Sequence, residues 1–396
     1  MGLATGGTKI AEHVVDADGH VLEPSDLWLD YLEASYVGRA VRLDVNDDGL
    51  EVVMVDNRPF DRIRPGGIAL IGSMGEEGAT PSPDRRYMEV MPLGASDPVD
   101  RIAHCDKEGF DGVVLYPTIG IVWPSVVEDT ELADAYARAY NRWIADFCRD
   151  SGGRLVAVAQ LSLNDPELAA RELRRAVTDG CRAAFVLPFT WSRIPHGDPH
   201  FDPLWVAAQD LGVPVGIHPG YEPRFANTLT RYANQDSSPG IGDAGAQFMS
   251  NMAARYGVQQ AFSSFFAYST FERFPGLRVG VLESGAGWIG SFLDRMDVLA
   301  GETLFRRFVS LTMAPSDYFR RQSFISCDPD ETAAPLMIDH VGAHCFMWAT
   351  DYPHPDHPAN WQESLRRFVQ PLSAQAAGRV AGDNAVALYR VGSASS

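Results

Sequence analysis

Lysine is nearly missing from this chain of 396 residues. Only Lys9 and Lys107 occur, and neither follows an apolar, strand-like run. A Schiff-base nucleophile, or a carbamylated lysine bridging metal ions on a barrel strand, therefore has no suitable residue. Cysteine is scarce as well. Cys105, Cys148, Cys181, Cys327 and Cys345 are odd in number, scattered, and form no C-x-x-C pair. That pattern argues against a disulfide framework or a structural zinc and for thiols in a reducing cytoplasm. No apolar run approaches the roughly 20 residues of a membrane span. The first residues lack the basic-then-apolar order of a secretory signal. Basic charge is short too, with 33 Lys and Arg against 52 Asp and Glu and a net charge of −19. An acidic surface disfavours nucleic acid or an anionic membrane as partner. A small anionic substrate held by a few local arginines stays compatible. No G-x-G-x-x-G follows the first strand-like run, which weakens a doubly wound dinucleotide fold.

What is present is a rhythm. Apolar runs at 14–20, 112–117, 154–161, 183–188, 213–218, 277–283, 323–327 and 345–351 alternate with helical patterns. The helical patterns lie at 98–109, 129–149, 165–178, 203–211, 243–273, 287–299, 331–340 and 374–390. Continuous apolar runs between helices predict a parallel sheet buried on both faces. Eight such units predict a closed (β/α)8 TIM barrel. One segment breaks the rhythm. Residues 41–45 and 50–55 flank Asn46-Asp47-Asp48-Gly49 and read as a β-hairpin. Residues 61–95 follow as a long Gly-, Pro- and Met-rich loop, and loops of that length are usually functional or disordered. The organisation expected is a single barrel domain over 13–390, with an insertion at about 40–95 after the first strand.

The polar ends of the apolar runs carry the chemistry. The first run ends in Asp18-Gly19-His20, the fifth in His218, the sixth in Glu283 and the eighth in Asp351. Asp18 and His20 are two residues apart and share a face in extended chain. Either alone reads equally as a turn residue or a packed histidine. In a barrel, however, all strand ends converge on the C-terminal face. There Asp18, His20, His218 and Asp351 can reach one ion, with carboxylate and imidazole chemistry suited to a divalent metal.

Several blocks together resemble the metal-dependent amidohydrolase superfamily, in the branch that includes aminocarboxymuconate-semialdehyde decarboxylase and γ-resorcylate decarboxylase. They are Asp16-Ala17-Asp18-Gly19-His20 with Glu23-Pro24, Phe201-Asp202-Pro203-Leu204-Trp205, and Pro214-Val215-Gly216-Ile217-His218. Glu283-Ser284-Gly285-Ala286-Gly287-Trp288 with Arg295-Met296-Asp297 follows, then Thr350-Asp351-Tyr352-Pro353-His354-Pro355-Asp356. The resemblance implies a distorted barrel holding a single divalent metal, zinc or manganese, on Asp18, His20, His218 and Asp351. Asp18 stands where relatives often carry histidine or glutamate. An anionic ligand makes the ion a weaker Lewis acid and shifts preference from zinc towards manganese or magnesium.

Glu283 departs from the histidine of the semialdehyde decarboxylase branch. It is a candidate general base or acid; the competing reading is a carboxylate that only supports a ligand or pairs with an arginine. His354 is expected to bond a ligand carboxylate or touch substrate, and His196 or His200 to line the pocket. Arg295 resembles an arginine that recognises a substrate carboxylate across a dimer interface, although Asp294 or Asp297 offers an ordinary ion pair. Trp28, Phe185, Trp191 and Trp288 are placed to wall an aromatic pocket. The expected activity is non-oxidative decarboxylation of an aromatic or unsaturated acid by a homodimer. The alternative is hydrolysis of an amide, lactone or related bond, with Glu283 activating metal-bound water.

Overall fold

A computed structural model describes residues 10–226, 244–301, 306–307 and 309–392. Eight parallel strands form the central sheet: β1 (Val15–His20), β5 (Gly112–Tyr116), β6 (Leu155–Gln160), β7 (Ala183–Val186), β8 (Val215–Ile217), β9 (Val279–Val281), β10 (Ser323–Cys327) and β11 (Phe346–Trp348). They lie side by side in that order. The hairpin expected after the first strand is β2 (Arg42–Val45) and β3 (Glu51–Val55), extended by a third short strand, β4 (Arg58–Pro59). The Asn46 side chain closes its turn by accepting from the N–H groups of Asp48 and Leu50, as Asx turns do.

The first and last barrel strands meet at a seam. His20 N–H donates to Tyr352 O at 2.7 Å and Asp351 N–H to Asp18 O at 2.9 Å. Beneath them the buried Asp16 carboxylate accepts from Thr350 N at 2.9 Å and Thr350 Oγ1 at 2.6 Å. The sheet thus curls into a nearly closed (β/α)8 barrel. Its interior is filled by Val15, Ala17, Val114, Val156, Phe185 and Phe324, with Ala385 and Tyr389 of the C-terminal helix among them. A second, larger core lies between strands and helices. Both faces of each of the eight barrel strands are dry, which is why these strands read as unbroken apolar runs.

Helix starts follow local chemistry. Asp97 and Asp165 each cap a helix whose first residue is proline, Pro98–Glu108 and Pro166–Asp179, a pairing that satisfies end N–H groups while fixing φ. The sequence pattern differs from the structure at three places. Pro315–Gln322 is a helix where a loop is expected, and Trp361–Val369 is a further helix. The expected helix at 243–273 is two, Ala244–Ala267 and Thr270–Arg273, parted where Ser269 takes φ +54°. All five cysteines are buried. Among the described residues no helix is long and apolar enough to cross a membrane.

Candidate metal centre and active site

Strand β1 does not run evenly to its end. Its pairing with β5 shifts between Asp16 and Gly19, and such irregularities re-aim side chains. Gly19 is required here, because a Cβ would lie 2.7 Å from Val113 Cγ2 and 2.9 Å from Arg101 Nη2. Buried Arg101 in turn donates to His20 O at 3.0 Å. Asp18 and His20 are held in this way at the C-terminal mouth of the barrel, nearly inaccessible to solvent.

The ends of β8, β9 and β11 bring the remaining groups. His218 Nε2 lies 3.5 Å from Asp18 Oδ1 and 3.2 Å from Glu283 Oε2. His20 Nε2 lies 3.1 Å from Asp351 Oδ1, 3.9 Å from Asp18 Oδ1 and 4.0 Å from Glu283 Oε2. Backbone carbonyls choose the nitrogens that face inward. His20 Nδ1 donates to Pro117 O at 2.9 Å and His218 Nδ1 to Pro219 O at 2.7 Å, leaving each Nε2 free as a ligand. Glu283 and Asp351 both adopt left-handed backbone, φ +39° and +59°. For residues other than glycine this stores of order 1–3 kcal/mol each and is concentrated at functional sites.

These residues fit a divalent metal. Asp18 Oδ1, His20 Nε2, His218 Nε2, Glu283 Oε2 and Asp351 Oδ2 are buried and have no hydrogen-bond partner. Buried polar atoms are normally satisfied, and five orphans at one mouth mark a place for a cation. Asp18, His20 and His218 bring ligand atoms within 4.8 Å of one another, as do His20, Glu283, Asp351 and His354. The electrostatics agree. Burial, with Glu283, Asp356 and Asp18 nearby, pushes Asp351 well above the usual carboxylate range. Burial works against charge on His218, but the carboxylates of Asp18 and Glu283 hold it up at about 9. Burial is also the main force raising Glu283, opposed by His218 and reinforced by Asp356, Asp18 and Asp328.

The four expected ligands, Asp18, His20, His218 and Asp351, are therefore brought together, with Glu283 and His354 beside them. His354 Nδ1 faces Asp351 Oδ1 at 3.0 Å, and its Nε2 meets Thr118 Oγ1 at 2.9 Å. Its two nitrogens are thus committed to a ligand carboxylate and a hydroxyl. The aromatic residues divide. Trp28 is fully buried, its ring 5.4 Å from Tyr136, and lines no open pocket. The reason is that Leu27–Tyr31 is a short helix whose buried residues, Leu27 and Trp28, join the outer core. Phe185 is likewise fully buried, 6.0 Å from the His218 ring, and backs the ligand instead of facing substrate. Trp191 and Trp288 are half-buried; their indole N–H groups donate to Pro124 O and Gly285 O. Arg295 is exposed on the helix Ile289–Ala300, while Asp297 accepts from Ser316 N–H and Asp294 faces His340. His196 is buried against Leu187 O and His200 is exposed.

Thr118, Ser326 and Asp328 carry no metal-ligand signature in the sequence, yet stand at the site. Ser326 Oγ donates to Asp18 Oδ2 at 3.3 Å and accepts from Glu283 N–H at 3.0 Å. Asp328 follows β10 and pairs with Arg255 at 3.3 Å. The available signal was position: each lies at the C-terminal end of a strand.

Comparison with known proteins gives the family and the fold. The family model described as Amidohydrolase matches residues 121–391. A γ-resorcylate decarboxylase of Rhodococcus jostii (strain RHA1) is 27% identical over 284 residues, covering 66% of this chain and 79% of its own. An amidohydrolase of Mycobacterium avium subsp. paratuberculosis K-10 superposes with a TM-score of 0.77 at 20% identity, over 95% of this chain and 97% of its own. A dihydroxybenzoic acid decarboxylase of Polaromonas sp. JS666, crystallised with manganese and 2-nitroresorcinol, superposes with a TM-score of 0.64 at 15% identity, over 96% of this chain and 97% of its own. With its barrel and the family match over most of its length, the chain belongs to the amidohydrolase family of enzymes.

Proposed function

We propose that the protein is a divalent-metal-dependent, non-oxidative decarboxylase of an aromatic or unsaturated carboxylic acid. The observation that carries this reading is the placement of Glu283, whose Oε2 stands 3.2 Å from His218 Nε2 and 4.0 Å from His20 Nε2 beside the ligand cluster, with burial raising its carboxyl above the usual range. Asp18, His20, His218 and Asp351 would hold the ion, and manganese is favoured over zinc by a ligand set with two carboxylates. When bound, the metal supplies positive charge that fixes the substrate's oxygen atoms. Glu283 delivers its proton to the carbon bearing the carboxylate. The bond to that carboxylate then breaks, its electron pair returns to the ring or double bond, and carbon dioxide leaves. Glu283 regains its proton from solvent, to which its side chain is 20% exposed. Hydrolysis would require the opposite state, an ionised Glu283 taking a proton from water. Trp191 and Trp288 would wall the substrate, and Arg295 would meet its carboxylate from a neighbouring subunit in a cytoplasmic homodimer.

The test is a screen of salicylate-like acids against lactones and amides with manganese-loaded protein, scoring carbon dioxide release and ring opening. Carbon dioxide from at least one acid is expected. Ring opening or amide cleavage without any decarboxylation would replace this reading with the hydrolytic one.

A further inference from the structure

Glu23 belongs to the Glu-Pro pair that follows the first strand, and no step above uses it. It is wholly buried. Its carboxylate faces three successive backbone N–H groups beyond the end of β5. Thr118 N and Ile119 N donate to Oε2 at 3.0 and 2.8 Å, and Gly120 N donates to Oε1 at 2.8 Å. The turn held in this way carries two contacts to the metal centre. Pro117 O accepts from His20 Nδ1. Thr118 Oγ1 donates its one proton to Val21 O at 2.8 Å. His354 Nε2 must then be the donor in its contact with that hydroxyl, and Nδ1 stands 3.0 Å from Asp351 Oδ1, a contact that needs a proton on one of the two groups.

We propose that Glu23 is a positioning residue: through the turn at 117–120 it fixes the coordinating nitrogen of His20 and the orientation of His354. The inference rests on the metal site described above. A carboxylate is needed because the turn offers donors alone. A glutamine would set its NH2 against an N–H at one end. The turn has an independent anchor, since Gln160 Nε2 donates to Gly120 O at 2.6 Å. Loss of Glu23 therefore displaces the turn without abolishing it. Outer partners of this kind typically change metal affinity by about 10–100-fold.

Two variants, Glu23→Gln and Glu23→Asp, test the proposal, the second retaining the charge should the first not fold. Manganese affinity is measured by competition with a chromophoric chelator, at a temperature where circular dichroism shows the metal-free variant folded. Histidine tautomers of the metal-free protein are read by nitrogen-15 NMR. Glu23→Gln is expected to weaken manganese binding about 10–100-fold and to mix the His20 tautomers, with Glu23→Asp between it and wild type. Lower thermal stability combined with wild-type manganese affinity and unmixed tautomers, in whichever variant folds, would overturn the proposal and leave Glu23 a purely structural residue. Wild-type protein that binds no manganese overturns the metal site itself, while the tautomer comparison still decides whether Glu23 sets His20.

Discussion

At the scale of single residues, the centre is a conflict of like charges that the fold cannot relieve alone. Asp18, Glu283 and Asp351 crowd around two imidazole nitrogens, and each carboxyl keeps one buried oxygen without a hydrogen-bond partner. Glu283 is the member whose loss leaves the four ligands in place. Glu283→Gln is expected to keep its metal and lose about 10²–10⁴-fold in kcat, with manganese content by elemental analysis as the control. Near wild-type turnover would remove Glu283 from the chemistry. His218→Ala removes a ligand, so it should purify with far less metal; undiminished metal would refute the assignment. The residues of this cluster were legible in the sequence because each is a lone polar group ending an apolar run. Thr118 and Ser326 were not. A hydroxyl at a strand end has no chemical signature until the neighbour it bonds, His354 or Asp18, is known.

At the scale of elements, alternation of runs was legible and the packing of short helices was not. Helix Trp361–Val369 buries only Trp361, Ser364, Leu365 and Phe368, too brief a stripe to stand out between two loops. Trp28 misled for a related reason. Proximity to Asp18 in sequence suggested the pocket, but the chain leaves the barrel mouth at Glu23 and carries the indole to Tyr136. The segment just beyond is tied down by charge. Glu33 accepts from Arg138 Nε at 2.9 Å and Arg142 Nη2 at 2.6 Å, both on the helix Thr130–Cys148. Partial burial pushes its carboxyl up, but the two guanidinium groups outweigh it and hold the group at about 2, below its ordinary 4.5. A folded value below the unfolded one stabilises above pH 4.5 and loses that stability as pH falls towards 2. With a third of the side chain exposed, screening reduces the contribution to about 1–2 kcal/mol. Denaturant unfolding at pH 7 and pH 3 should therefore show a smaller acid-induced loss for Glu33→Gln than for wild type. An equal loss in both would assign acid sensitivity elsewhere.

At the scale of the whole molecule, the proposed ion would couple the site to the stability of the barrel. An ion bound at 100 times its Kd adds about 2.7 kcal/mol to stability. For a chain of this size that amounts to about 3 °C in Tm. Chelation should lower Tm by that order and manganese should restore it, read by differential scanning calorimetry. A Tm indifferent to chelator would mean that the cluster is satisfied without metal. The net charge of −19 describes the chain in bulk. It does not describe the mouth, where Arg62 lies 4.9 Å from the Phe60 ring and 5.5 Å from that of Tyr221 and donates to Ser125 Oγ and Glu222 O. The insertion is thereby clasped to loops beyond β5 and β8, a contact between segments that no local pattern encodes.

The seam between β1 and β11 also sets a clock. Asp16 and Thr350 are separated by 334 residues, and Asp18 and Asp351 stand just above them on opposite sides of the join. At ribosomal speeds of about 5–20 residues per second, on the order of tens of seconds pass between their synthesis. Until then the emerging chain owns Asp18, His20 and His218 but not the partner that completes the set. A nascent or truncated polypeptide would thus hold an incomplete set for the proposed ion, and full coordination would be a chemical signature that translation has reached the far edge of the barrel.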